Sequence, residues 1–211
     1  MKTPNQIATF TDISIKYSTW IIKYCSTTFD NPLFMVFYTD TDENSTDRLM
    51  TYKSGEIFAT QSLTDFKKII LSETLNLSAF DNLNPWLDNF KDLQVLEYCT
   101  YDLISVSQNI DRKNLDIDTT ENIADFINLY CDYLKQDEKN NHLKVYIDDA
   151  LIKKVWNYFY DYIFWSKKND KEKLIACDRP QLDIDTKGLL QKLEVVIKKF
   201  DSNIKPAEKA N

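Results

Sequence analysis

The apolar positions change period along the chain. Before about residue 60 they alternate or form short unbroken runs. Ile13, Ile15 and Tyr17 alternate with polar residues, and so do Trp20, Ile22 and Tyr24, which predicts half-buried strands. "LFMVFY" (33–38) is continuously apolar and predicts a central strand. "RLMTYK" (48–53) and "IFAT" (57–60) predict two more, on either side of a turn at Gly55. Together they describe an antiparallel meander.

After that the period lengthens. Ser62, with Asp65 three residues on, has the chemistry of a helix N-cap, and the helix would run to about Leu71. Asn84-Pro85 suits another helix start. Residues 95–106 fit helix and strand alike. "LDIDT" occurs at 115–119 and again at 182–186, and nothing beyond those five residues matches, so it reads as two similar caps rather than a duplication. Asp118 with Glu121 resembles a capping box, and Asp185-Thr186 a second cap. Ile123, Ile127, Tyr130 and Leu134 line one stripe, and Leu189, Leu190, Leu193, Val196, Ile197 and Phe200 another, each opposite a polar face. The expected fold class is α+β, with an N-terminal antiparallel sheet and a C-terminal helical lobe. We expect one domain over 1–211, sheet-rich at about 10–75 and helical at about 84–203.

One helix departs from this pattern. "VWNYFYDYIFW" (155–165) holds seven aromatic side chains around Asp161. At about 100° per residue, Leu151, Ile152, Val155, Trp156, Phe159, Tyr162 and Ile163 fall within about 80° of one direction, an ordinary core face. Tyr158 and Trp165 lie on one flank with Lys154 and Asp161, and Tyr160 and Phe164 on the other. Two readings stay open: a helix central in its lobe, or a helix whose second face meets a partner.

Composition narrows the function. Of 211 residues, 43% are hydrophobic, enough for a sizeable core. The net charge of −7 opposes binding to nucleic acid or anionic membrane and favours a basic protein partner. The N-terminus lacks a signal-peptide core and no stretch is long enough to span a bilayer, so the cytoplasm is the expected location. Cys25, Cys99, Cys131 and Cys177 lack metal-ligand spacing and read as small buried apolar residues. The lone His142 lies in a polar loop, and glycine occurs only at 55 and 188, so neither a His-based triad nor a phosphate loop can be written. In "DTDENSTDRLMT" (40–51), Asp40, Asp42 and Asn44 match the first ligands of a calcium loop. Ser45 and Thr51 stand where its glycine and bidentate glutamate belong, so it reads as a solvated acidic loop. No cofactor or metal is expected. Asp148, Asp149 and Asp178 keep a carboxylate-dependent hydrolase open as an alternative.

Residues 125–165, "DFINLYCDYLKQDEKNNHLKVYIDDALIKKVWNYFYDYIFW", and the module "GEIFATQSLTDFKKII" (55–70) resemble the small acidic immunity proteins of bacterial polymorphic and contact-dependent toxin systems. The likeness lies in composition and element order: acidic, poor in glycine, rich in aromatic residues and mixed in structure. It implies a cytoplasmic protein that binds one toxin domain, such as a basic nuclease, and occludes its active or substrate-binding surface. The candidate contact residues are Tyr158, Asp161 and Trp165, with Asp148 and Asp149 at the helix start. The acidic loop (Asp40, Asp42, Glu43, Asp47) is a second candidate surface. A structural or adaptor protein self-associating through the aromatic helix is the remaining reading, and monomer and homodimer both stay open.

Overall fold

The computed structural model describes residues 9–41, 45–90, 93–169 and 179–207. Asp42, Glu43, Asn44, Cys177 and Asp178 lie outside the described residues. The chain forms two compact units: Met1–Tyr24, Asn31–Thr100 and Asn203–Asn211 make the first, and Cys25–Asp30 with Tyr101–Ser202 the second. The fold is α+β, with strands mostly in the N-terminal half and helices mostly in the C-terminal half.

The first unit opens with a helix where alternation predicts a strand. In α1 (Phe10–Lys16) the Asp12 amide donates to the Thr9 hydroxyl and the Thr9 amide donates to the Asp12 carboxylate, 2.9 Å away. That reciprocal cap nucleates the turn, Phe10 and Ile13 are buried one turn apart, and Ile15 is left 62% exposed. Ser18, at φ 46°, turns the chain into β1 (Thr19–Cys25). β2 (Leu33–Asp40) pairs antiparallel with β1 from Thr19↔Tyr38 to Tyr24↔Leu33. β3 (Thr46–Leu49) and β4 (Ile57–Thr60) share the other edge of β2, β3 beside residues 37–40 and β4 beside Phe34 and Met35. Between them the chain leaves the sheet and returns through Gly55, whose φ of 105° suits glycine.

The meander acquires two edge strands that local pattern does not reveal. β5 (Cys99–Asp102) joins β1, and β6 (Ile204–Pro206), from the far end of the chain, lies parallel to β4. The sheet order is thus β5-β1-β2-β4-β6, and the sheet is mixed. α2 (Phe66–Glu73) follows a Ser62–Asp65 exchange in which the Asp65 amide donates to Ser62 Oγ and Ser62 Oγ donates back to the carboxylate. α3 (Leu83–Phe90) carries Pro85 in its first turn. Trp86, fully buried, sits 6.3 Å from the Phe10 ring and edge-on to Phe66 at 6.5 Å in the core of this unit.

The second unit is helical. α4 (Leu103–Asp111) follows β5 directly, capped by Asp102, so residues 95–106 contain both a strand and a helix start. α5 (Ile117–Gln136) is followed by a 3₁₀ segment (Glu138–Leu143), α6 (Lys144–Ile147) and α7 (Ala150–Phe159). A π turn (Tyr160–Phe164) leads into α8 (Trp165–Asn169), and α9 is Thr186–Asp201. The stripe on α5 is buried, as are Leu189, Leu193, Val196, Ile197 and Phe200 on α9, with Leu190 half-buried. Phe126, Tyr130 and Tyr133 surround Phe200 with ring centroids 5.6–6.1 Å away. Asp201, 3% exposed, accepts hydrogen bonds from Ser26 at 2.9 Å and Thr28 at 2.5 Å.

The repeated "LDIDT" caps two helices in different registers. In the first copy the cap is Asp116, not Asp118: its carboxylate accepts the Thr119 amide at 2.8 Å. In the second copy the cap is Asp185, accepting the Gly188 amide at 3.0 Å. In the second copy Asp183 lies in the extended chain before the helix, and its carbonyl accepts a hydrogen bond from Lys154. Removing the cap with Asp116→Ala should cost about 1 kcal/mol. Hydrogen bonds from the Thr119 backbone, then its side chain, hold the Asp116 carboxyl below its ordinary value. The cap's contribution is therefore complete above about pH 4 and fades as the pH falls through the lower folded-state value. Urea titrations should show the gap between wild type and Asp116→Ala narrowing from pH 7 toward pH 3.

Candidate functional site

The aromatic helix buries one face in its lobe and leaves other rings exposed to solvent. Ile152, Val155, Phe159 and Ile163 are buried, and Phe159 and Ile163 pack with Ala124 of α5. Asn128 on α5 fixes the next flank. Its carboxamide oxygen accepts the Trp156 indole N–H at 2.9 Å, its NH2 donates to Tyr160 Oη at 2.9 Å, and the two rings lie 4.5 Å apart. Asn128 was not apparent as a site residue from sequence, where it is one polar position among many on a helix.

The π turn changes which rings reach solvent. Each hydrogen-bonded turn there takes in one residue more than in an α-helix, so the faces that follow are delayed relative to a straight helix. Tyr162, expected on the core face, is instead 41% exposed, while Ile163 remains buried. Trp165 is 55% exposed, with the Phe164 ring at 4.9 Å and the Lys168 ammonium 5.5 Å from its ring. Tyr158 and Tyr162 stand 5.2 Å apart, and exposed Asp161 lies between them in sequence. Tyr158, Asp161, Tyr162 and Trp165 thus form an exposed or half-buried group on the α7–α8 surface. An open hollow of about 610 Å³ lies beside Tyr158, Asp161 and Tyr162, bounded on its far side by residues 180–183.

The acidic candidates are placed differently. Asp148 is exposed and ion-paired with Lys153, whose hydrogen bond and charge hold its carboxyl below the ordinary value. Asp149 is the N-cap of α7. Its carboxylate accepts the Leu151 amide at 2.9 Å and pairs with Lys192 at 3.2 Å, and it too is held below the ordinary range, chiefly by that amide. Asp40 ends β2 and pairs with Arg48 at 3.4 Å, and Asp47 accepts the Thr39 hydroxyl at 2.7 Å. Asp42 and Glu43 lie outside the described residues. Tyr158 and Asp161 thus border one hollow and Trp165 is exposed beyond the π turn, whereas Asp148, Asp149 and Asp40 are engaged by nearby cations.

Other candidate chemistry is dispersed. Among the described residues no group of three His, Cys, Asp or Glu side chains gathers at metal-binding distance. Cys25, Cys99 and Cys131 are half-buried rather than fully buried, and burial raises the Cys131 thiol. His142 is exposed, and its Nδ1 donates to the Lys139 carbonyl at 2.7 Å. In the first unit, a hollow of about 500 Å³ lies beside Tyr52 and Lys205, and burial pushes the Tyr52 hydroxyl up to about 12. No helix among the described residues is long and apolar enough to cross a membrane.

No protein-family model matches the chain, and no curated protein matches it. A fold likeness does exist, to the SatS C-terminal domain solved in complex with bromine. It has a TM-score of 0.51 over 92% of this chain and 97% of that one, at 11% sequence identity. At that identity what the two chains share is the α+β fold.

Proposed function

We propose that this chain acts by binding a protein partner through the rings at the α7–α8 junction, and that the partner is a bacterial toxin domain neutralised in the cytoplasm. The observation that carries the reading is the exposure of Tyr162 and Trp165 at the π turn, beside Asp161 and Tyr158. Large rigid rings with polar tips, turned away from a core that is already filled, are the anchors protein interfaces favour. The toxin assignment rests on the acidic, aromatic-rich composition and on the resemblance to immunity proteins.

Electrostatics contributes through the whole molecule. Asp148 and Asp149 pair with lysines, so attraction of a basic toxin comes from the net charge of −7 acting over a Debye length of about 8–10 Å. The rings then supply slow dissociation. The test is co-expression with a toxin domain encoded beside this chain. The two proteins should co-purify as a stable complex, and cells carrying both should survive toxin induction. Separate elution together with cell death overturns the reading.

A further inference from the structure

An extended segment of the chain already lies on the α7 surface, and the way it is held is informative. Residues 179–184 (Arg-Pro-Gln-Leu-Asp-Ile) have no regular structure and none of their side chains is buried. They are fastened by main-chain carbonyls: Tyr158 Oη donates to the Pro180 carbonyl at 2.9 Å, and Lys154 Nζ donates to the Asp183 carbonyl. The two donors are four apart on one helix face, and the two acceptors are three apart, the repeat at which a polyproline-type chain returns carbonyls to one side. The segment runs antiparallel to α7. Hollows of about 610 and 320 Å³ flank it, and Tyr158 and Pro180–Leu182 border both.

This is recognition of backbone shape beside an aromatic wall, and it asks little of the bound side chains. Aromatic-lined grooves take proline-containing segments in this way, because such segments are pre-extended and lose little entropy on docking. We propose that the Tyr158–Lys154 face of α7 is a binding site for an extended, proline-containing segment of a partner protein, and that residues 179–184 are a resident stand-in which that segment displaces. The inference rests on the partner-binding reading above and names the chemistry of the partner. With a tethered segment at an effective concentration on the order of 1 mM, the stand-in weakens a peptide of about 100 µM Kd by about tenfold.

The test uses the full chain and a fluorescein-labelled Arg-Pro-Gln-Leu-Asp-Ile peptide read by anisotropy. A chain whose residues 179–184 are replaced by alternating Gly and Ser should bind the peptide at least tenfold more tightly than wild type. Adding Tyr158→Phe to that chain should reverse most of the gain, as should replacing the peptide's proline with Ala. Equal affinity for the two chains, no saturable binding to the replaced chain, or failure of that chain to fold each overturns the proposal, since a stand-in is dispensable to the fold. Hydrogen exchange supplies a second readout in the native-length sequence. Lys154→Met with Tyr158→Phe should speed exchange of amides 181–185 at least tenfold and leave those of α7 unchanged. Equal acceleration in α7, or no change at 181–185, overturns it. Because no toxin is present, failure here leaves the co-expression result to be judged by itself, and failure there does not alter the peptide measurement.

Discussion

Phe200→Ala is expected to lower the unfolding free energy by about 3–5 kcal/mol. The ring is fully buried and meets Phe126 at 5.6 Å and Tyr130 and Tyr133 at 6.1 Å, in two cases edge-on. Truncation removes the transfer free energy of the ring and leaves a cavity walled by other rings. Those rings are held along a 20-residue helix, so they collapse into the space only in part. With a urea m-value of roughly 2 kcal/mol per M, the midpoint should fall by about 1.5–2.5 M. A loss below about 1 kcal/mol would mean that the α5–α9 contact does not carry the stability of the second unit.

How much of this could be read in advance depended on whether local chemistry or a distant contact set the outcome. "LFMVFY" and "IFAT" were legible as strands because apolar and β-branched residues end at Asp, Thr and Gly. β2 and β4 lie where those runs lie. The stripes of α5 and α9 were legible because helical spacing and burial agree. α1 was not, since seven residues satisfy a period of two and a period of 3.6 equally well and the Thr9–Asp12 exchange decided between them. β6 was invisible because a three-residue strand depends on a partner more than a hundred positions away.

The candidate site shows the same division. Tyr158 and Asp161 border one hollow because three-residue helical spacing puts them on neighbouring positions of one face. Tyr162 could not be assigned, because a wheel of constant pitch has no place for a π turn. The engagement of Asp149 depends on Lys192, forty-three positions on, and that of Asp40 on a strand pairing. Residues 179–184 carried one usable signal, Pro180 in a stretch without period. That predicts extended chain and says nothing of what the chain lies upon.

The second large effect concerns binding. Tyr162→Ala combined with Trp165→Ala should weaken the partner complex at least a hundredfold, since interface anchors of this type are worth about 2 kcal/mol or more each. The same change should cost less than about 1 kcal/mol of stability, because both rings are largely solvent-facing and Tyr162 forfeits mainly its contact with Tyr158. That separation of effects is what distinguishes an anchor from a core residue. The decisive measurement is calorimetric titration of the toxin domain into wild type and into this double variant, with urea unfolding of both. Adhesion through the α7–α8 rings predicts a Kd at least a hundredfold weaker in a variant that remains folded, and an unchanged Kd in that folded variant would contradict it.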